Sequence, residues 1–225
     1  MSSKDKPKKH KSIFRFFLYD FVKITGALGA YVWIKPRIHY VSEEAKRAAY
    51  KDGGIVIANH TGVTDPIKLE WAFWNRRFHM LAFKELFENK VRNFFFSRML
   101  CIPVDRDNFS MNTFNRVKEL TKGGYLVGIF PEGKIVREEG EVGAFKGGAV
   151  MMALRSNVPI IPVYCSPYKK FWAFSDIVIG EPIDVRGLCG AVPPLNAIEK
   201  VTEHIRGKEI ELKKIYEERT GKNDN

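Results

Sequence analysis

The sequence predicts an α/β fold: a single domain with a central mixed, largely parallel sheet flanked by helices, plus an N-terminal amphipathic helix. Three observations carry that expectation. Apolar runs alternate with helical stretches from residue 36 onward. Several runs, such as GGIVIA (53–58) and YLVGIF (125–130), are almost continuously apolar, as strands covered on both faces should be. The chain has 225 residues, 45% hydrophobic and 28% charged, enough for one ordinary core and too few for two. Two regions are expected: a basic tail with an amphipathic helix over 1–35, and one α/β domain over 36–225.

Strands are expected at 37–41, 54–58, 78–83, 101–104, 125–130, 160–165 and 177–179, and helices at 42–50, 66–75, 84–99 with a break near Asn89, 111–122, 143–156 and 195–219. Strands alternating with helices place crossover helices between parallel strands. VPIIPV (158–163) has prolines at its entry and near its middle, so that strand is expected to be short or near an edge. The last helix is dense in Glu and Lys, with i,i+4 pairs such as Glu209–Lys213, and reads as a solvated outer helix.

The formal net charge of +11 favours polyanions: nucleic acid, an anionic membrane surface or phosphorylated small molecules. Nucleic acid is disfavoured, because no RNA-binding motif or Gly-Arg tract is present and the aromatics sit mostly in apolar runs. Cys101, Cys165 and Cys189 are odd in number and widely spaced, which implies a reducing compartment, no disulfide framework and no metal site. The basic start lacks a small-residue cleavage signal, so no secretory signal is expected.

Residues 12–35 are apolar enough to raise the question of a membrane span. Arg15, Asp20 and Lys23 argue against one, since a charge at mid-membrane costs roughly 2.5–3.5 kcal/mol. Arg15, Tyr19, Lys23 and Gly26 instead form one stripe at helical spacing, with Phe14, Phe17, Leu18, Phe21 and Ile24 on the other side. Such a helix can lie in a membrane interface or pack its apolar face on the protein's own core. The interfacial alternative is the expectation, and the adjacent cationic tail would add attraction to anionic lipid.

Ligands of α/β sheets gather where strand ends meet helix starts. Four such places carry unusual chemistry. In NHTGVTD (59–65), Asp65 before Pro66 reads as a helix N-cap and His60 as a buried histidine. The same residues also read as a general base and the carboxylate that orients it. In IPVDRD (102–107), Arg106 reads as a surface ion-pair partner of Asp105 or Asp107, or as a guanidinium fork for phosphate. In FPEGK (130–134), Glu132 follows an apolar strand, where a carboxylate needs a partner. In AFKGGA (144–149), Lys146 and Gly147 open a helix and offer a possible anion site, or are ordinary helix-start residues.

Together, NHTGVTD (59–65), PVDR (103–106), FPEG (130–133) and VPIIPV (158–163), in that order, resemble the glycerolipid acyltransferase family over about residues 37–185. The resemblance implies a general-base role for His60 with Asp65 as its partner. It implies a phosphate ligand in Arg106 and an acceptor site including Glu132 and Gly133. Where many members continue with Thr-Arg-Ser, this chain has Lys134-Ile135-Val136, so Lys134 would serve phosphate as a point charge and Arg137 could compensate. The implied reaction moves a fatty acyl group from acyl-CoA or acyl-ACP to the free hydroxyl of 1-acylglycerol-3-phosphate. No cofactor or metal is expected beyond that co-substrate. The expected location is the cytoplasmic face of a membrane, held peripherally or monotopically. The alternatives are a relative acting on glycerol 3-phosphate or another lysophospholipid, or a non-catalytic membrane lipid-binding module. Phe94-Phe95-Phe96 is a candidate wall for the acyl chains, or plain core.

Overall fold

The computed structural model describes residues 12–105, 109–136, 141–167, 173–190 and 192–221. Its elements in chain order are α1 (Ser12–Ile34), β1 (Pro36–Tyr40), α2 (Glu43–Tyr50), β2 (Gly54–Ala58), α3 (Asp65–Ala72), β3 (Phe78–Phe83), α4 (Lys90–Arg98), β4 (Ile102–Val104), α5 (Met111–Lys122), β5 (Leu126–Ile129), α6 (Gly148–Ser156), β6 (Ile160–Cys165), β7 (Ser175–Ile179), α7 (Val185–Cys189) and α8 (Leu195–Thr220). A 3-10 turn at Lys84–Phe87 precedes α4, which starts after Asn89, whose side chain accepts from Val91 and Arg92 N–H. The expected break therefore falls at a helix cap.

The seven strands form one sheet in the order β1-β7-β6-β2-β5-β3-β4. β6, β2, β5, β3 and β4 run parallel to one another, and β7 with β1 runs the other way. The alternation of β2 explains why the run has no polar residue. Ile55 and Ile57 join a core with Val117, Val150, Met152 and Ile205 from α5, α6 and α8. Val56 and Ala58 face the opposite core with Ala49, Leu69 and Phe73. Both faces are covered, so every position must be apolar.

Three expectations are corrected. β6 is neither short nor at an edge; it is fully buried between β7 and β2. Pro162 accepts from Gly180 N–H at 2.9 Å on the β7 side, whereas the β6–β7 ladder begins at Val163–Ile179. A strand residue turns its N and C=O to the same side, so the missing donor falls beyond the ladder and no sheet bond is lost. α8 is not a solvated helix, because it packs Val201, Ile205, Leu212 and Tyr216 against the sheet. Glu209 is wholly buried on that face, and Lys213 pairs with Glu217 instead. α6 begins at Gly148 rather than near 143, because the residues before it run as an open segment against the turn after β5.

The structure also bears on the packing alternative for α1. The stripe with Tyr19 and Lys23 meets the protein, joined by Phe16 and Ile34, while most of the expected apolar face does not. Tyr19 Oη donates to Glu70 at 2.7 Å, and Lys23 Nζ donates to Glu70 at 3.0 Å and to the Arg76 carbonyl at 2.9 Å. Phe17, Phe21, Ile24 and Leu28 are exposed. The side chains of Phe14 and Arg15 lie outside the described residues. Among the described residues, no helix is long and apolar enough to cross a membrane.

Candidate active site

The five parallel strands end at one edge of the sheet, and that edge collects the sequence blocks. β2 leads into Asn59-His60, β5 into Phe130-Pro131-Glu132, β6 into Ser166 and β4 into Asp105. β2 lies beside β5, so NHTGVTD and FPEG become neighbours although 70 residues separate them. Asn59 fixes the first loop: its side chain donates to Cys165 O at 3.0 Å and accepts from Cys165 N–H at 2.7 Å. That exchange continues the β2–β6 pairing one residue past the strand.

His60 and Asp65 meet. Nδ1 lies 3.2 Å from Asp65 Oδ2, with the His60 side chain 16% exposed and Asp65 at 0%. The same oxygen accepts from Thr61 N–H at 2.7 Å and Gly62 N–H at 2.8 Å. Oδ1 accepts from Lys68 Nζ at 2.9 Å, and Lys68 is also wholly buried. Burial alone would push the Asp65 carboxyl up. The His60 hydrogen bond, the Lys68 charge and the Gly62 N–H outweigh it and hold Asp65 below the usual carboxylate range. An ionised Asp65 accepts, so Nδ1 carries the hydrogen and Nε2 is left with a lone pair. Nε2 has no hydrogen-bond partner among the described residues. The cap expected of Asp65 is not made: Thr64 precedes α3 with no side-chain cap, and Asp65 reaches back into its own loop.

The second block closes over the first. The Phe130 ring stacks on the His60 ring at 4.0 Å, and Val136 N–H donates to His60 O at 2.7 Å. Gly133 N–H returns to Phe130 O at 3.1 Å, closing a tight turn, and Gly133 has φ +66°. L-residues other than glycine occupy that region at a cost. A side chain there would also sit 3.4 Å from Lys146 Cε. Glu132 is buried, and its Oε1 accepts from Gly143 N–H at 3.0 Å. Burial pushes its carboxyl up, against the Gly143 N–H and the nearby His60. Arg206 of α8 holds the same segment through the Gly143 and Val142 carbonyls.

A pocket of about 190 Å³ opens from His60. Its walls are mainly apolar: Leu81, Phe83, Leu86, Phe96, Val104 and Phe109 continue from Phe130, with Gly133 and Lys146 also in the lining and next to each other. Gly148 permits Phe109 to approach, since a Cβ there would fall 2.3 Å from its ring. Cys101 also lines the pocket, and burial with the nearby Glu70 pushes its thiol up to about 12. It stays protonated and is a poor nucleophile.

The remaining expected residues fall differently. Arg106 and Arg137 lie outside the described residues. Asp105, at the end of β4, is ion-paired with Lys84 at the end of β3. Lys134 is exposed and does not line the pocket. Lys146 lines the pocket, whereas Gly147 caps α6 and faces Ile198 of α8. Of the phenylalanine cluster, Phe96 is a wall and Phe94 and Phe95 are exposed. Lys68 and Glu209 were not anticipated. A lysine next to Leu69 on the buried face of α3 was the readable sign of the first, and Glu209 on the apolar Ile205–Leu212 stripe that of the second.

The acyltransferase family model matches residues 37–166. A 1-acyl-sn-glycerol-3-phosphate acyltransferase of Bacillus subtilis is 33% identical over 170 residues, covering 72% of this chain and 83% of its own. A protein of the same name from Streptococcus pneumoniae is 28% identical over 172 residues, covering 73% of this chain and 63% of its own. The 1-acyl-sn-glycerophosphate (LPA) acyltransferase PlsC of Thermotoga maritima is similar in fold, with a TM-score of 0.62 and 20% identity, over 94% of this chain and 84% of that one. The family match spans the NHTGVTD, FPEG and VPIIPV blocks, and a relative one-third identical runs along most of both chains: the chain belongs to the acyltransferase family.

Proposed function

We propose that the protein transfers a fatty acyl group from an acyl thioester to the free hydroxyl of 1-acylglycerol-3-phosphate, giving phosphatidic acid. The observation that carries this reading is the free Nε2 of His60, facing an apolar pocket while Asp65 holds Nδ1. An alcohol is a weak nucleophile at neutral pH. Nε2 takes the hydroxyl proton as the oxygen attacks the thioester carbonyl, a contribution of about 10²–10⁴ in rate. The tetrahedral intermediate collapses with loss of thiolate, which takes the proton back from the imidazolium. Asp65 stays ionised throughout and stabilises the imidazolium.

Direct transfer is favoured over an acyl-enzyme. The thiol in the pocket, Cys101, is held protonated, and among the described residues no serine or threonine lines the walls. The N–H groups of Thr61, Gly62, Gly133 and Val136 are already engaged, so the oxyanion is served by other donors. Lys146, in the lining of the pocket that His60 also lines, supplies a cation for the acceptor phosphate, with Arg106, Glu132, Gly133 and Lys134 as the further acceptor-site residues carried by the resemblance. The donor is acyl-CoA or acyl-ACP. The apolar pocket suits its chain, and the exposed face of α1 suits a membrane interface, on the cytoplasmic side.

Purified protein is incubated with acyl-CoA or acyl-ACP and a panel containing lysophosphatidic acid, glycerol 3-phosphate and other lysophospholipids. Phosphatidic acid forms from lysophosphatidic acid, and His60→Ala abolishes it. Preferred turnover of glycerol 3-phosphate would move the acceptor assignment; no transfer to any acceptor would favour a lipid-binding module. For the membrane reading, Phe17, Phe21 and Ile24 changed together to Ser release the protein from anionic vesicles. Undiminished binding would place the anchor elsewhere.

A further inference from the structure

Lys68 is one of the largest side chains in the protein with no exposed surface. An ammonium out of water must be held by its neighbours. Its Nζ donates to Asp65 Oδ1 at 2.9 Å and to the Ser166 carbonyl, just past β6, at 2.7 Å. The two oxygens of Asp65 are therefore divided. Oδ2 serves His60 and the loop N–H groups, and Oδ1 serves Lys68. Helix packing alone does not ask for this, because Leu69 and Ala72 on α3 are buried without any charge.

We propose that Lys68 is a positioning residue for the His60–Asp65 pair, its ammonium balancing the carboxylate through the second oxygen while Ser166 ties that balance to the end of β6. The proposal rests on the general-base reading of His60. A general base has to accept a proton and then release it within one turnover. A buried carboxylate with the imidazole as its sole counter-charge would hold the imidazolium too firmly. With Lys68 bonded to Asp65, carboxylate and ammonium sum to zero, and the imidazole responds to the reaction rather than to an unbalanced charge.

The other ionisable groups around the pair do not supply this balance. Glu132, from the turn after β5, and Glu209, from α8, are both acids pushed up by burial. Cys165 on β6 is a buried thiol, also pushed up by burial. Lys146 lies at the pocket on the Gly133 side. Among the described residues, Lys68 is the one lysine or arginine bonded to Asp65.

The test compares Lys68→Met and Lys68→Gln with the conservative Lys68→Arg. Two readouts are taken: kcat/KM against pH with lysophosphatidic acid, and the His60 imidazole titration followed by NMR. Loss of the ammonium moves the acidic limb and the imidazole midpoint to higher pH by about one unit, a roughly tenfold loss of kcat/KM on that limb. Lys68→Arg returns both toward the parent values. Lys68→Gln keeps a side-chain donor for Asp65 and serves if Lys68→Met does not fold. An unmoved limb and midpoint in folded Lys68→Gln would overturn the proposal and leave Lys68 as a strut between α3 and β6. If the parent protein transfers no acyl group but the midpoint still moves, the functional reading fails and the role of Lys68 in the pair stands.

Discussion

Among the described residues, two histidines are bonded to buried aspartates, and their surroundings differ in one decisive respect. His39, on β1, places Nε2 2.8 Å from Asp176 Oδ1, and Arg219 Nη1 approaches its Nδ1 at 3.2 Å. Arg37 adds two bonds to the same carboxylate at 2.9 Å each. Both ring nitrogens are engaged, so that pair pins β1, β7 and α8 together and leaves no nitrogen open to a substrate. His60 spends one nitrogen on Asp65 and keeps the other over an apolar pocket. Proximity of His and Asp is thus common to both; an unspent nitrogen facing a ligand-sized space belongs to one.

The largest effect expected from this contrast is on turnover. His60→Ala lowers acyl transfer by about 10²–10⁴ with the fold intact. His39→Ala leaves kcat/KM nearly unchanged and instead loses about 1 kcal/mol in urea unfolding, as Asp176 and Arg219 each lose a partner. Exchange of these outcomes would break the comparison.

The aspartates should differ next. Asp65→Ala leaves the Lys68 ammonium buried without its counter-charge and costs about 3–5 kcal/mol. Asp176→Ala costs less, about 1–3 kcal/mol, because its partner Arg37 is half-exposed and can turn to water. Equal losses would show that burial of the cation does not set the scale. A smaller effect is expected at the turn above His60. Gly133→Ala forces a side chain into the left-handed region and lowers stability in urea unfolding by about 1–2 kcal/mol.

The mildest expected change is also the most dependent on pH. Burial, with the charge of Glu132 adding to it, pushes the Glu209 carboxyl well above its usual value. An acid raised in the folded state favours folding fully below its unfolded value, near pH 4, and that contribution is lost as pH rises through the folded value. Glu209→Gln escapes that loss. Its melting temperature should exceed the parent's by a margin that widens from pH 5 to pH 8. A constant margin would mean that Glu209 is already ionised in the folded protein at pH 5.

The strands were legible because two-sided burial leaves a strong mark: YLVGIF and GGIVIA admit little else. The convergence of NHTGVTD and FPEG was legible only through the ordered blocks, since nothing local says that β5 inserts between β2 and β3. Pro162 misled because a proline's cost depends on which way its missing N–H would point, and that is a property of the neighbour. Glu209 misled, and Lys68 went unread, for a shared reason. Charged residues at helical spacing read as a wet face, and only the packed structure tells which of them lie against the sheet. The polar stripe of α1 was read correctly as a stripe, but spacing carries no information about which side of it touches protein.

That last feature changes how a version of the protein for solution work should be made. Phe16 and Tyr19 share a small core with Leu100, and Tyr19 Oη also accepts from Phe78 N–H. The helix is a wall of the domain as well as its greasy exterior. Cutting it away would unroof β3 and the aromatic residues around Trp74, trading one sticky surface for another. Repainting Phe17, Phe21, Ile24 and Leu28 with polar side chains leaves the wall standing and changes only its outer coat.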